Sequence, residues 1–158
     1  MDETTERLKI PRHEFDETLY QAMIAVYQFD RLKVLLFGLT YQDSYLLYFL
    51  KKKSSAKIGE IAEELNIHIS TASRAVDKLE HRKLVVRTKD EKDRRNVLVS
   101  LAPAGEMIMQ ASDDHSYYTM LKGLTEFTED EIGIIYKAAQ RLNKILGVPA
   151  MGKQGPLK

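Results

Sequence analysis

The chain contains no cysteine. That absence excludes a disulfide scaffold, a thiolate zinc site, a cysteine nucleophile and thiol-based peroxide sensing, whatever the fold. It also lacks any apolar run near the ~20 residues that a membrane-spanning helix needs. The longest candidate, Val34-Leu35-Leu36-Phe37-Gly38-Leu39, is far too short. The start, Met1-Asp2-Glu3-Thr4-Thr5-Glu6, is acidic and polar, the opposite of a secretion signal, so a cytoplasmic location is expected. Catalytic motifs are missing as well: there is no Gly-rich phosphate loop, no HExxH, no GxSxG and no nucleophile–base spacing. The expectation is therefore no enzyme and no cofactor. His13, His68, His81 and His115 have no close metal-ligand spacing, and no metal site is expected; zinc would require His13 and His115 to meet beside Asp113 or Asp114.

What is present is a composition of 44% hydrophobic and 30% charged residues in 158, enough for one domain whose core needs no staples. The net charge of +1 is unevenly spread. Residues 51–100 hold 13 Lys and Arg against 8 Asp and Glu, and the remainder holds 11 against 15. A basic middle with acidic flanks fits a central element that meets a polyanion. A solvated mixed surface would give the same count, so charge raises the question without settling it.

Hydrophobic spacing supplies the framework. After Pro11, Phe15, Leu19, Ala22, Val26 and Phe29 recur in steps of four and three, predicting a helix to about Phe37. Such length in so small a chain points to a partner surface. Thr40-Tyr41-Gln42-Asp43 opens a second helix, with Asp43 placed to favour the positive end of its dipole. Ser54 and Ser55 are read as opening a short third helix carrying Ile58, Ile61, Ala62 and Leu65, and Asn66 as its left-handed exit. A fourth helix is expected from about Ser70 to Arg82, with Ala72, Ala75, Val76 and Leu79 inward. The period then changes to β-branched runs, 84–88 and 96–101, joined by a wholly charged loop over 89–95. Pro103 suits the first turn of a fifth helix, and Thr128 with Glu131 forms a capping box for a last helix striped by Ile132, Ile135, Ala139, Leu142 and Leu146.

Two short helices joined by a tight turn and followed by a charged hairpin make a winged helix-turn-helix. The expected fold is thus mainly α with a small β-hairpin wing, about six helices in all. A helix fits the major groove of B-DNA, where short hydroxyls and basic groups reach phosphates and base edges. Ser70, Thr71 and Ser73 allow close approach, Arg74 suits a bidentate contact to guanine or a phosphate link, and Lys78 suits the backbone. Ser70 could equally be a helix cap. On the hairpin tip, Lys92, Arg94 and Arg95 can enter a minor groove, with Asp93 pairing to a nearby arginine and fixing the loop.

From about residue 30 to 125 the chain resembles the MarR family. The resemblance is carried by Leu39-Thr40-Tyr41-Gln42, Ile58-Gly59-Glu60-Ile61-Ala62, the run Ser70 to Glu80, Asp93-Arg94-Arg95 with Val97 to Leu101, and Gly105. Ala102 departs from the threonine usual before the fifth helix, which weakens the cap there. The resemblance implies a homodimer whose helical region comprises residues 1–36 and 103–150 and a winged helix-turn-helix over 37–102; Gly147 and Pro149 stop the last helix, and a disordered tail over 151–158 is expected. It further implies a pseudo-palindromic double-stranded DNA operator and a repressor relieved by a small aromatic or phenolic ligand. Arg12, His13, Tyr20, Tyr45 and Tyr48 are the candidate ligand residues, although tyrosines at helical spacing are more often core or interface. The alternatives are a winged-helix regulator without an effector and a protein-interaction module.

Overall fold

The computed structural model describes residues 10–90 and 96–148. The predicted tail over 151–158 and the wing-tip residues Lys92, Asp93, Arg94 and Arg95 lie outside them. The described residues carry helices α1 (Arg12–Phe37), α2 (Tyr41–Lys53), α3 (Ile58–Leu65) and α4 (Ile69–His81), strands β1 (Val85–Lys89) and β2 (Val97–Leu101), and helices α5 (Pro103–Leu124), α6 (Glu129–Ala139) and α7 (Leu142–Ile145). The mainly helical fold with one hairpin is thus as expected.

The chain divides into two compact units, Met1–Tyr41 and Gln42–Lys158. In the first, α1 begins after Pro11, whose fixed φ suits a helix entrance, and stops at Gly38. Gly38 takes the left-handed conformation (φ 64°) and donates its amide to the Val34 carbonyl at 2.8 Å. None of the α1 residues is buried. The stripe read from the sequence is real as a period, with Phe15, Leu19 and Val26 exposed and Phe29 half-buried.

The second unit holds a core from α2 through α5. Leu46, Leu47 and Leu50 on α2 are fully buried with Ile61 of α3, Ala72, Val76 and Leu79 of α4, and Val85 and Val99 of the hairpin. Each buried leucine contributes roughly 1.5–3 kcal/mol relative to exposure, so α2 is the central post of this unit. The sequence reading that Ser54 and Ser55 open α3 is corrected. Ser54 is left-handed (φ 69°), and Ala56 instead pairs as a bridge with Val99, each donating its amide to the other's carbonyl at 2.9 and 2.8 Å. Helix α3 starts only at Ile58, where the Lys57 amide donates to Glu60 Oε2 at 2.7 Å.

Asn66 takes the expected left-handed exit (φ 52°, ψ 49°) and turns the chain from α3 into α4. Lys83 (φ 59°) makes a similar exit from α4, its amide donating to the Glu80 carbonyl, and delivers Leu84 to the sheet. The strands pair antiparallel, Val85 with Leu101, Arg87 with Val99 and Lys89 with Val97. The Asp90 amide donates to the Asn96 carbonyl at 3.0 Å and closes the hairpin below its tip.

The start of α5 seats on the end of α4's exit. The Ala102 amide donates to the Leu84 carbonyl, and a Cβ on the buried Gly105 would stand 2.0 Å from that same oxygen. Only glycine allows the approach. The last predicted helix is two: the chain turns at Gln140 and Arg141 between α6 and α7. The capping box at its head is present, with the Thr128 amide donating to Glu131 Oε2 at 2.8 Å.

Candidate nucleic-acid interface

Helix α4 owes its orientation to its inner face. Ala72, Val76 and Leu79 recur at intervals of four and three and are sealed in the core. Helical geometry then turns Ser70, Arg74, Asp77 and His81 to the opposite side, and all four are exposed. Thr71 and Lys78 are also exposed on one flank, while Ser73 is half-buried on the other. Ser70 does not cap the helix, because α4 starts at Ile69 with His68 in the cap position. Its hydroxyl lies within the first turn and is open to solvent.

The cations of this region sort into three states. Arg74 makes no hydrogen bond or ion pair among the described residues, so its full fork of donors is available. Lys78 is engaged: its Nζ donates to Asp43 Oδ2 at 2.6 Å, joining α4 to the head of α2. Asp43 is 3% exposed, so the sequence reading of it as a simple dipole partner missed its burial. Arg87 of β1 was not singled out in the sequence at all. Its Nη2 donates to Asp77 Oδ1 at 2.6 Å and its Nη1 to Glu80 Oε2 at 2.5 Å. Burial alone would lower its pKa, but the hydrogen bond it donates to Asp77 and the charges of both carboxylates hold it above the usual arginine value. A signal for this clamp existed in the pairing of acids three apart on a helix with an arginine in the next strand.

The back of the unit is braced by further polar links. Tyr45 donates its hydroxyl to Glu64 Oε1 at 2.9 Å, and Lys53 donates to Glu60 Oε1 at 2.6 Å. The hydrogen bond from Lys53 and the Lys57 amide hold the Glu60 carboxyl below its ordinary pKa. Lys51 pairs with Asp113 of α5 at 3.0 Å.

The residues predicted for an effector lie on two helices. Arg12, His13 and Tyr20 lie on α1 in the first unit, all exposed, with Arg12 paired to Asp16 at 3.5 Å. Tyr45 and Tyr48 lie on α2 in the second unit, where Tyr45 is bound to Glu64 and Tyr48 carries the Lys52 ammonium 5.5 Å from its ring centre. Among the described residues no cluster of three His, Asp or Glu is arranged for a metal.

The architecture has close relatives in known proteins. The MarR family model matches residues 39–97. The HTH-type transcriptional regulator YxaD of Bacillus subtilis is 30% identical over 104 residues, 65% of this chain and 73% of that protein. The chain belongs to the MarR family. A further relative, the HTH-type transcriptional repressor MdtR of Bacillus subtilis, is 33% identical over 95 residues, 60% of this chain. The match spans 61% of MdtR's own length. Among solved structures, a MarR family protein from Bacillus stearothermophilus has a TM-score of 0.76 at 22% identity, covering 93% of this chain and 99% of that one. YusO of Bacillus subtilis has a TM-score of 0.67 at 25% identity, covering 89% and 100%. In this MarR-family chain the family match ends at Val97, so it takes in the helix-turn-helix and most of the hairpin and leaves α1, α5, α6 and α7 to be argued from structure.

Proposed function

We propose that this protein is a homodimeric, sequence-specific regulator of transcription that binds double-stranded DNA through α4 and the β1–β2 wing. The observation that carries the reading is the outward face of α4, where Ser70, Thr71 and an Arg74 with no partner among the described residues are exposed on a helix fixed from behind. Short hydroxyls and one free guanidinium at the head of a helix that the core holds rigid are what major-groove readout requires. Lys78 serves the same interface by fixing α4 to α2. Lys92, Arg94 and Arg95 are assigned to the adjacent minor groove, with Asp93 holding the tip.

A division of labour completes the reading. We assign residues 37–102 to the reading unit and 1–36 with 103–150 to the dimerisation region, many of whose described apolar side chains are exposed. Two copies related by a two-fold axis present two α4 helices, so the operator is a pseudo-palindrome. The site of action is the cytoplasm. The sign of regulation is repression, as the name of the relative MdtR states for that protein. Relief by a small aromatic or phenolic acid is the matching effector reading, with the tyrosines of α1 and α2 as its aromatic surface.

The test is selection of bound fragments from the source genome by the full chain, followed by fluorescence anisotropy on the selected duplex at several salt concentrations. Binding should fall steeply as salt rises, because released counterions drive association with phosphate. A chain that retains no duplex, or binds without salt dependence, is a protein-interaction module instead. Titration of aryl acids into the complex tests the effector, and unchanged anisotropy throughout leaves a regulator without one.

A further inference from the structure

Helix α4 carries a liability for any contact with phosphate. Asp77 and Glu80 stand on the same helix as Arg74, and their side chains are 54% and 39% exposed. Carboxylates this close to a polyanion repel it, most of all where a partner excludes water. Arg87 reaches both of them from the middle of β1, one terminal nitrogen to each, while its own side chain is only 24% exposed. The planar fork is what makes this feasible, since a lysine ammonium at the same place could not present two parallel donors in fixed directions.

Resting on the DNA-binding reading, we propose that Arg87 is a positioning residue that masks the carboxylates of Asp77 and Glu80, keeping α4 acceptable to DNA, and does not itself touch the nucleic acid. Each terminal guanidinium nitrogen already donates to one of the two acids. The same side chain sits opposite Val99 in the hairpin register, so the mask is held by the strand pairing and by the core below it. Asp77 and Arg74 share the outer face of α4, three residues apart, which leaves Arg74 unclaimed only while Asp77 is satisfied from the other side.

The experiment compares four full-length proteins on one duplex, chosen from a random-sequence library by the unaltered chain. They are the unaltered chain, Arg87→Met, the double variant Asp77→Asn with Glu80→Gln, and the triple variant combining all three changes. Arg87→Met should lose at least about tenfold in affinity with an essentially unchanged salt slope, since no phosphate contact is removed. The double variant should bind at least as well as the unaltered chain. The triple variant should return to within about threefold of the double variant, because it leaves no carboxylate to hide. It also leaves no charge unpaired, so it keeps the test decisive if Arg87→Met folds poorly by circular dichroism. A triple variant as weak as Arg87→Met, or a salt slope reduced by about one unit in Arg87→Met, would overturn the mask and make Arg87 a clamp or a direct DNA contact. If the unaltered chain selects no duplex, the DNA-binding reading itself fails, and the mask with it.

Discussion

Two residues show how much chemistry a single position holds here. Gly105 is buried against the Leu84 carbonyl, and any Cβ would stand 2.0 Å from that oxygen. Because the obstacle is backbone and is held by the Ala102 amide, it has little freedom to yield. Gly105→Ala should therefore destabilise the fold by about 1–3 kcal/mol or more, the range of overpacking, despite alanine's better helix propensity. Thermal unfolding by circular dichroism checks this, and a neutral or stabilising result would contradict the close approach. At the reading face, Arg74→Ala should cost about 1–3 kcal/mol against the selected duplex and less against random DNA, the pattern of a lost base contact. Equal losses on both would make Arg74 a phosphate contact. Gly105 was visible in the sequence through the family resemblance, whereas the freedom of Arg74 was not. Asp77, three residues on along the same helix face, is taken by Arg87 of β1, a pairing that the helical pattern alone does not encode.

Elements behave as their periods predict and fail where a tertiary pairing intervenes. Helices α1 and α4, the two strands and the capping box at Thr128 follow from spacing and cap chemistry within a residue or so. The start of α3 does not, because Ala56 leaves the helical path to pair with Val99, a partner supplied by the hairpin. The last helix divides at Gln140 although its apolar stripe continues, and spacing alone cannot register that turn. The tie between α2 and α4 gives a prediction of its own. Lys78→Met leaves the buried Asp43 carboxylate without its cation and should cost roughly 1–3 kcal/mol, discounted because Lys78 is half-exposed. Adding Asp43→Asn should recover part of that loss in urea melts. Two helix heads also set the acid response. Glu60 is held below its ordinary pKa by Lys53 and the Lys57 amide, and Glu131 by the amide and then the hydroxyl of Thr128. Folded pKa values below the unfolded ones mean stability that is complete above the ordinary glutamate value and is lost as pH falls through the folded value. Glu60→Gln with Glu131→Gln should flatten the decline of the melting temperature over that acid range and leave its shape near neutrality unchanged.

At the scale of the molecule, the decisive fact is the apolar surface that one chain leaves open. On α1, Met23, Val26 and Leu35 are 61%, 66% and 75% exposed, and on α6 and α7 Ile134 and Ile145 are 67% and 63% exposed. A monomer seldom tolerates patches beyond a few hundred Å2, so a second copy is the natural cover. Val26→Glu and Ile145→Glu replace side chains that the single chain does not bury, and each should leave the reading unit folded while shifting sedimentation to the mass of one chain. The consequence for DNA then follows from valency. In the proposed dimer, two tethered α4 helices would convert the second half-site contact into an intramolecular step, an advantage of about 10²–10⁴ in affinity. Ile145→Glu should lose a factor of that order on a duplex with two half-sites and almost nothing on a duplex with one. Equal affinity for both duplexes in the unaltered chain would mean that the exposed stripes do not pair the reading heads, since an advantage from linkage exists only when both heads reach the same DNA.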